Sequence, residues 1–177
     1  MEDLSLHILD IAENSIRAGA TEIKIRIEED VDNNLLSVSI SDNGKGMDEE
    51  MLKKAADPFF TTKGERRIGL GLSLLGQAAR ESMGDFRINS EKDRGTVIEA
   101  RFQYNHIDRK PIGDVAQTLI VLITANPDID FLYEQINRRG HHVIDTKEIK
   151  KSSGNEPVSI QKLIKIIRNT IGPSMHT

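Results

Sequence analysis

The 177-residue sequence contains no cysteine and no tryptophan, and only 4% of its residues are aromatic. Without cysteine there can be no disulfide bond, no Cys-bound zinc and no thiol nucleophile. Because aromatic rings are scarce, aliphatic side chains must fill most of the interior, and 37% of the residues are hydrophobic. The length fits one domain of ordinary size, or one domain with an appendage.

Acidic residues outnumber basic ones, 28 to 24. The net charge is −4 and the pI is near 5.8, and no run of Lys or Arg is present, which argues against a sequence-independent nucleic-acid binder. No segment approaches the ~20 apolar residues that cross a bilayer. The start, from Met1 to His7, has neither the basic region nor the apolar run of a signal peptide. We therefore expect a cytoplasmic protein that binds neither nucleic acid nor membrane.

Hydrophobic periodicity predicts a definite order of elements up to residue 102: helix, two strands, short helix, loop, helix, two strands. This order predicts a two-layer α/β sandwich with helices on one face of a mainly antiparallel, mixed sheet. The predicted helices cover 4–18, 48–56 with Asp48 as N-cap, and 70–83, and the predicted strands lie at 23–27, 36–40, 86–90 and 96–102.

A shift in composition at 104–113 predicts a boundary, which divides the chain into 1–105 and a small α+β module at 106–177. The module is expected to contain a helix capped by Asp114, a hairpin over 131–145 and a terminal amphipathic helix over 157–171 with Pro157 in its first turn. It has no chemical motif. Its apolar runs face a core in the simplest interpretation, and a homodimer surface or a docking site for a protein partner is the alternative. These runs are Leu119, Ile120, Leu122 and Ile123, then Leu163, Ile164, Ile166 and Ile167.

Three polar side chains share one face of the first predicted helix. Asp10, Asn14 and Arg17 are spaced i, i+4 and i+7. An amide oxygen can bind Mg²⁺, a guanidinium can offset phosphate charge, and a carboxylate can orient a water molecule. This set suits a metal–triphosphate site, and the alternative is a solvent-exposed face with an Asp–Asn–Arg network.

The second predicted strand ends in Asp42-x-Gly44-x-Gly46. A carboxylate there can accept a hydrogen bond from an exocyclic amine, and residues without side chains let a flat base approach. The alternative is an ordinary turn, since Asp-Asn-Gly is turn chemistry.

A second glycine-containing segment, Gly69-Leu70-Gly71-Leu72, opens the helix predicted at 70–83. Free N–H groups and the positive end of the helix dipole make such a start an anion site. A close-packed helix entry is the alternative. The Walker pattern Gly-x-x-x-x-Gly-Lys-Ser/Thr is absent.

The order of these motifs is more specific than any one of them. Asn14, Asp42-x-Gly-x-Gly, Pro58-Phe-Phe-Thr-Thr-Lys63, Gly69-Leu-Gly-Leu-Ser73 and Gly95-Thr96 follow one another. The set resembles the ATP-binding domain of the GHKL superfamily, which gyrase, the heat-shock chaperone, histidine kinases and mismatch-repair ATPases share, and the resemblance covers about residues 4–103. The segments at 58–63 and 69–73 are close to the histidine-kinase version, whereas residues 12–20 look more like the mismatch-repair branch.

The resemblance implies the Bergerat fold, with ATP and Mg²⁺ as ligands. It also implies a role for each matching position. At the base end, Asp42 would accept a hydrogen bond from the adenine amine, Gly44 and Gly46 would shape the base pocket, and Thr96 would support the hydrogen bonds on the base side. At the phosphate end, Asn14 would bind Mg²⁺, and Arg17 and Lys63 would contact phosphate. Residues 59–68 would form a lid, and the phosphates would be cradled by Gly69, Leu70, Gly71 and Leu72.

The resemblance leaves the fate of the phosphate open. In the hydrolysing and serine-kinase branches a Glu four residues before the Asn activates the nucleophile, and this sequence has Asp10 there, one methylene shorter. A histidine kinase also needs a helical hairpin that carries the acceptor histidine. We expect none before Leu4, and His7 lies within the pocket helix, so autophosphorylation of the usual kind is not expected.

Three functions remain open: a regulatory ATPase or nucleotide switch, a kinase that phosphorylates a partner in trans like the anti-sigma serine kinases, and an ATP-binding subunit without turnover. The whole chain is also similar to small ATP-binding proteins that anaerobic bacteria encode beside redox-enzyme operons. That similarity implies a role in bacterial signalling or redox-enzyme regulation, with a protein partner still to be identified.

Overall fold

The computed structural model describes residues 3–57 and 70–172, except for the side chain of Leu70. The predicted order of helices and strands up to residue 102 is confirmed. Within the described ranges, no helix is both long and apolar enough to cross a membrane. The helices are α1 (Leu4–Arg17), α2 (Glu49–Ala56), α3 (Leu70–Glu81), α4 (Val115–Ala125), α5 (Thr146–Ser152) and α6 (Ile160–Ile171), and the strands are β1 (Glu22–Asp30), β2 (Leu35–Asp42), β3 (Phe86–Glu91), β4 (Gly95–Gln103), β5 (Asp130–Asn137) and β6 (Gly140–Asp145).

The six strands form one mixed sheet in the order β3-β4-β2-β1-β5-β6. Every neighbouring pair is antiparallel except β1 and β5, which are parallel. Alternation decides which face is covered: Ile23, Ile25 and Ile27 are buried under the helices, while Lys24 and Arg26 between them are exposed. The predicted architecture, helices on one face of a mainly antiparallel sheet, is confirmed.

Helix α1 is central to the helical layer, where it packs between α3 and α4. Its first turn is capped by Asp3, whose side chain accepts a hydrogen bond from the Leu6 N–H. Its apolar stripe, which includes Leu4 and Ile8, is fully buried against the sheet. The helix ends before Gly19, whose φ of +76° favours glycine.

The C-terminal elements continue the same sheet. β5 pairs with β1 in parallel, and the Thr118 hydroxyl of α4 donates to the Ser5 carbonyl of α1 at 3.2 Å. Leu119 and Ile167 are fully buried in the core that also contains α1 and β1. The core-facing interpretation of the apolar runs is thus supported. The division of the chain at residue 105 and a homodimer through these elements stay predictions.

Three details differ from the sequence prediction. Helix α3 ends at Glu81, since the chain turns to positive φ at Met83 (+60°). Helix α6 begins at Ile160 and not at Pro157, because the side chain of Ser159 accepts from the Lys162 N–H and caps it there. Helix α5 was not predicted, because its sequence has no apolar periodicity that would indicate a helix. Its only buried residue is Thr146.

Candidate functional site

The carboxylate of Asp42 lies at the end of β2, where both of its oxygens accept hydrogen bonds. The backbone N–H of Gly44 donates to Oδ1 at 2.9 Å, and the hydroxyl of Ser15 donates to Oδ2 at 2.6 Å. The second distance is typical of a charge-assisted O–H···O⁻ bond. Because α1 and the loop after β2 hold one oxygen each, the orientation of this half-buried carboxylate is fixed. Each oxygen keeps a lone pair for a further donor.

The loop that follows Asp42 is tied to the end of α1. The side chain of Asn43 accepts from the Thr21 N–H at 2.9 Å and donates to the Thr21 hydroxyl at 2.9 Å. Lys45 N–H donates to the carbonyl of Ala18 at 2.9 Å. Side-chain and backbone hydrogen bonds therefore hold this loop against the connection between α1 and β1.

The two glycines of the loop lie close to neighbouring parts of the chain. A Cβ on Gly44 would lie 3.0 Å from the Ala18 oxygen, and one on Gly46 would lie 2.0 Å from the Glu91 oxygen. Gly46 also has a φ of +63°, which side-chain-bearing residues rarely adopt. The predicted contact of both glycines with a base stays a prediction.

We expect Gly46→Ala to destabilise the fold more than a glycine substitution of equal backbone strain. Gly154 also has a φ of +63°, but a Cβ there would meet nothing within 4 Å. Gly154→Ala should cost about 1 kcal/mol of unfolding free energy from left-handed backbone strain, and Gly46→Ala about 2 kcal/mol more from the steric overlap. Urea unfolding of both variants measures the difference. Equal losses would mean that the overlap relaxes freely.

Thr96 directly opposes Asp42 in the β2–β4 ladder. Its Oγ1 lies 2.9 Å from the Oγ of Ser90, which also donates to the Gly95 carbonyl at 3.0 Å. The Met47 N–H donates to the same Ser90 oxygen at 2.8 Å. Thr96 is thus next to the fixed carboxylate, as its predicted role requires, and Ser90 joins the loop to β3 and β4.

The other predicted residues on α1 lie on its outer face. Asp10 and Arg17 are exposed, and Asn14 is half-buried. One Nη of Arg17 donates to Asn14 Oδ1 at 2.9 Å, so the amide oxygen predicted to bind Mg²⁺ is shared with the guanidinium. The remaining lone pair of that oxygen is free for a second bond.

The start of α3 approaches α1 at Asp10. A Cβ on Gly71 would lie 3.0 Å from the Asp10 Cβ, so a side chain at this position would press against Asp10. Leu72 is only 4% exposed and belongs to the core, so its predicted role could involve only its backbone. Lys63, Gly69 and the predicted lid at 59–68 lie outside the described residues, as does the side chain of Leu70.

Helix α1 connects the two halves of the candidate site. Asn14 is the chain neighbour of Ser15, and the Ser15 hydroxyl contacts Asp42 directly. An oriented carboxylate suits an exocyclic amine, and an amide oxygen suits a hard cation that keeps phosphate and water ligands. The donor set therefore fits a Mg²⁺-nucleotide. Within 3–57 and 70–172, no three His, Cys, Asp or Glu side chains cluster as a metal site.

Ser15, Asn43 and Ser90 also belong to the candidate site, although no sequence motif specifies them. Ser15 carried a signal: it is i+4 from Ile11 and i+3 from Ala12, so a polar residue occupies the buried stripe of α1. A buried hydroxyl needs a partner, and the partner is Asp42. Asn43 lies in the loop after β2, where polar residues are too common to be informative, and Ser90 lies in β3 at a half-buried position with no distinctive pattern around it.

Proteins of known sequence show which family the chain resembles. The family described as histidine kinase-, DNA gyrase B- and HSP90-like ATPases has a model that matches residues 2–106. A putative sensor protein of Shewanella frigidimarina is 38% identical over 97 residues, which are 54% of this chain and 15% of that protein. The tetrathionate sensor histidine kinase TtrS of Salmonella typhimurium is 33% identical over 115 residues, 63% of this chain and 19% of that protein. The chain thus corresponds to a small part of each relative.

Solved structures show the fold. The ATPase domain of Aquifex aeolicus MutL, complexed with ADP, superimposes with a TM-score of 0.52 at 16% identity, covering 96% of this chain and 70% of that one. The N-terminal domain of a DNA repair protein gives a TM-score of 0.56 at 17% identity, covering 94% and 57%. The likeness therefore extends beyond residue 106 into the C-terminal elements.

Proposed function

Because the chain belongs to the family of histidine kinase-, DNA gyrase B- and HSP90-like ATPases, we propose that it is a Mg²⁺-dependent, ATP-binding regulatory protein. It hydrolyses ATP slowly or acts as a nucleotide switch in bacterial signalling or redox-enzyme regulation, and it works in the cytoplasm, where ATP and Mg²⁺ are available. The observation that carries the proposal is the Asp42 carboxylate, oriented by Ser15 and Gly44 and joined through α1 to Asn14.

In this proposal each end of the nucleotide meets one part of the site. Asp42, beside Thr96, accepts a hydrogen bond from the adenine amine. Asn14 binds Mg²⁺ together with phosphate oxygens and water. Arg17, which donates to Asn14 Oδ1, would turn towards the phosphates of a bound nucleotide, since a guanidinium pairs well with phosphate.

Slow turnover is proposed because of the residue at position 10. Asp10 is exposed and lies against the start of α3, where phosphates are expected. It can take a proton from an attacking water molecule. Its carboxylate is one methylene shorter than the Glu of the hydrolysing branches, so it reaches the water less well.

We expect Asn14→Ala to weaken ATP binding about tenfold when Mg²⁺ is present, because a metal ligand is lost. In EDTA the affinity should change by less than about twofold. Isothermal titration calorimetry in both buffers measures the two effects, and Asn169→Ala, an exposed position on α6, is the control. A loss of equal size in both buffers would contradict metal binding by Asn14.

A kinase acting on a protein partner is the second candidate, because several relatives are named as kinases. One is sporulation kinase E of Bacillus subtilis, which is 40% identical over 68 residues. The match covers 38% of this chain and 9% of that protein. Incubation with γ-labelled ATP and a lysate of the native host distinguishes the candidates. Free labelled phosphate supports hydrolysis, and label on a partner protein supports the kinase. An intact nucleotide that stays bound supports an ATP-binding subunit without turnover.

A further inference from the structure

The hydroxyl of Ser15 occupies an unusual position for a helical serine. Serines in helices commonly donate to the carbonyl four residues earlier. Here the Ile11 carbonyl is 3.4 Å away, whereas Asp42 Oδ2 is 2.6 Å away. Since a hydroxyl has one proton, the shorter bond to the carboxylate is the dominant one. The Ser15 hydroxyl therefore donates to a residue of the sheet and not to its own helix.

The bond from Ser15 limits what the Asp42 carboxylate can do. Ser15 is 4% exposed, so water cannot readily replace its hydroxyl. With Gly44 N–H on Oδ1 and Ser15 on Oδ2, the carboxylate cannot rotate without breaking a bond. An ionised carboxylate accepts hydrogen bonds and donates none.

We propose that Ser15 is a positioning residue that gives the site its preference for a base with an exocyclic amine. This inference rests on the proposed function, because it assumes that Asp42 meets the base. Ser15 itself does not touch the nucleotide in this proposal. It holds the acceptor of Asp42 towards the amine, so its loss should weaken only those ligands that carry one.

The test compares two nucleotides that differ only in the amine: ATP and purine riboside triphosphate, both with Mg²⁺. Wild-type protein should bind ATP more tightly. Ser15→Ala should lower ATP affinity about tenfold, the order expected for loss of a hydrogen bond to a charged group. Affinity for purine riboside triphosphate should stay within about twofold. Ser15→Thr, which keeps the hydroxyl, should restore the preference for ATP.

Ser5→Ala is the matched control. Ser5 lies on the same helix, is 3% exposed, and donates to the Asp3 carboxylate at 2.6 Å, far from Asp42 along α1. It should lower stability without changing the ratio of the two affinities. If Ser15→Ala does not fold, Ser15→Cys replaces it, because a thiol fills the space but donates weakly. The cysteine variant should show the same loss of preference.

The outcomes separate this inference from the proposed function. If wild-type protein binds neither nucleotide, both are wrong. If wild-type protein prefers ATP and Ser15→Ala weakens both nucleotides equally, or weakens neither, Ser15 is structural only and the positioning role is overturned while ATP binding stands. A loss confined to ATP, rescued by threonine, supports the positioning role.

Discussion

Replacing Asp42 with Asn is expected to lower ATP affinity about 100-fold, roughly the loss of one hydrogen bond to a charged group with an unpaired donor left behind. Two donors already face this side chain, the Gly44 N–H and the Ser15 hydroxyl. A carboxylate accepts from both and from an amine as well, whereas an amide has one oxygen and an NH₂ group that would face a donor. The substitution keeps the shape of the side chain, but one of its two terminal atoms changes from a hydrogen-bond acceptor to a donor.

Competition with a fluorescent ATP analogue measures this loss, and urea unfolding shows whether the fold survives. Asp128→Asn makes the same chemical change in the exposed turn before β5 and should alter neither quantity. An Asp42→Asn protein that binds ATP within about threefold of wild type would remove Asp42 from base recognition.

Replacing Asp10 with Ala is expected to lower the rate of any ATP turnover at least about 100-fold, the lower range for a general base. ATP affinity should be nearly unchanged, because Asp10 is exposed on α1 and is not assigned a contact with the base or the metal. Asp10→Glu should turn over faster than wild type, since the longer side chain matches that of the hydrolysing branches.

Release of phosphate in single-turnover experiments measures this effect separately from product release. Glu13→Ala is the control, because Glu13 is also exposed on α1 but points about a quarter turn away from Asn14. Turnover that persists in Asp10→Ala would exclude Asp10 as the base. A fall of equal size in Glu13→Ala would indicate a general effect of charge on α1.

Local patterns predicted most of the fold. Strand β1 was found from the alternation of Ile23, Ile25 and Ile27, and helix α2 from its cap at Asp48, because both signals lie within a few neighbouring residues. The parallel pairing of β5 with β1 could not be predicted in this way. The register of Glu22 with Asp130 joins residues far apart in sequence, and no local signal specifies such a partner.

The sequence predicted which residues form the candidate site, but not which of them contact one another. Spacing placed Asp10, Asn14 and Arg17 on one face of α1, since helix geometry is regular. It did not reveal that Arg17 donates to Asn14 Oδ1, because a rotamer decides that contact. Likewise, the bond from Ser15 to Asp42 depends on how closely α1 approaches the end of β2, which follows from packing of the whole core.

The most direct measurement is a crystal structure of the chain with Mg²⁺ and a non-hydrolysable ATP analogue. We predict the adenine amine within hydrogen-bond distance of the Asp42 carboxylate, the metal bound to Asn14 Oδ1, and Arg17 turned from Asn14 to the phosphates. A nucleotide whose base lies away from Asp42, or whose metal has no contact with Asn14, would contradict the proposal that one helix joins both ends of an ATP site.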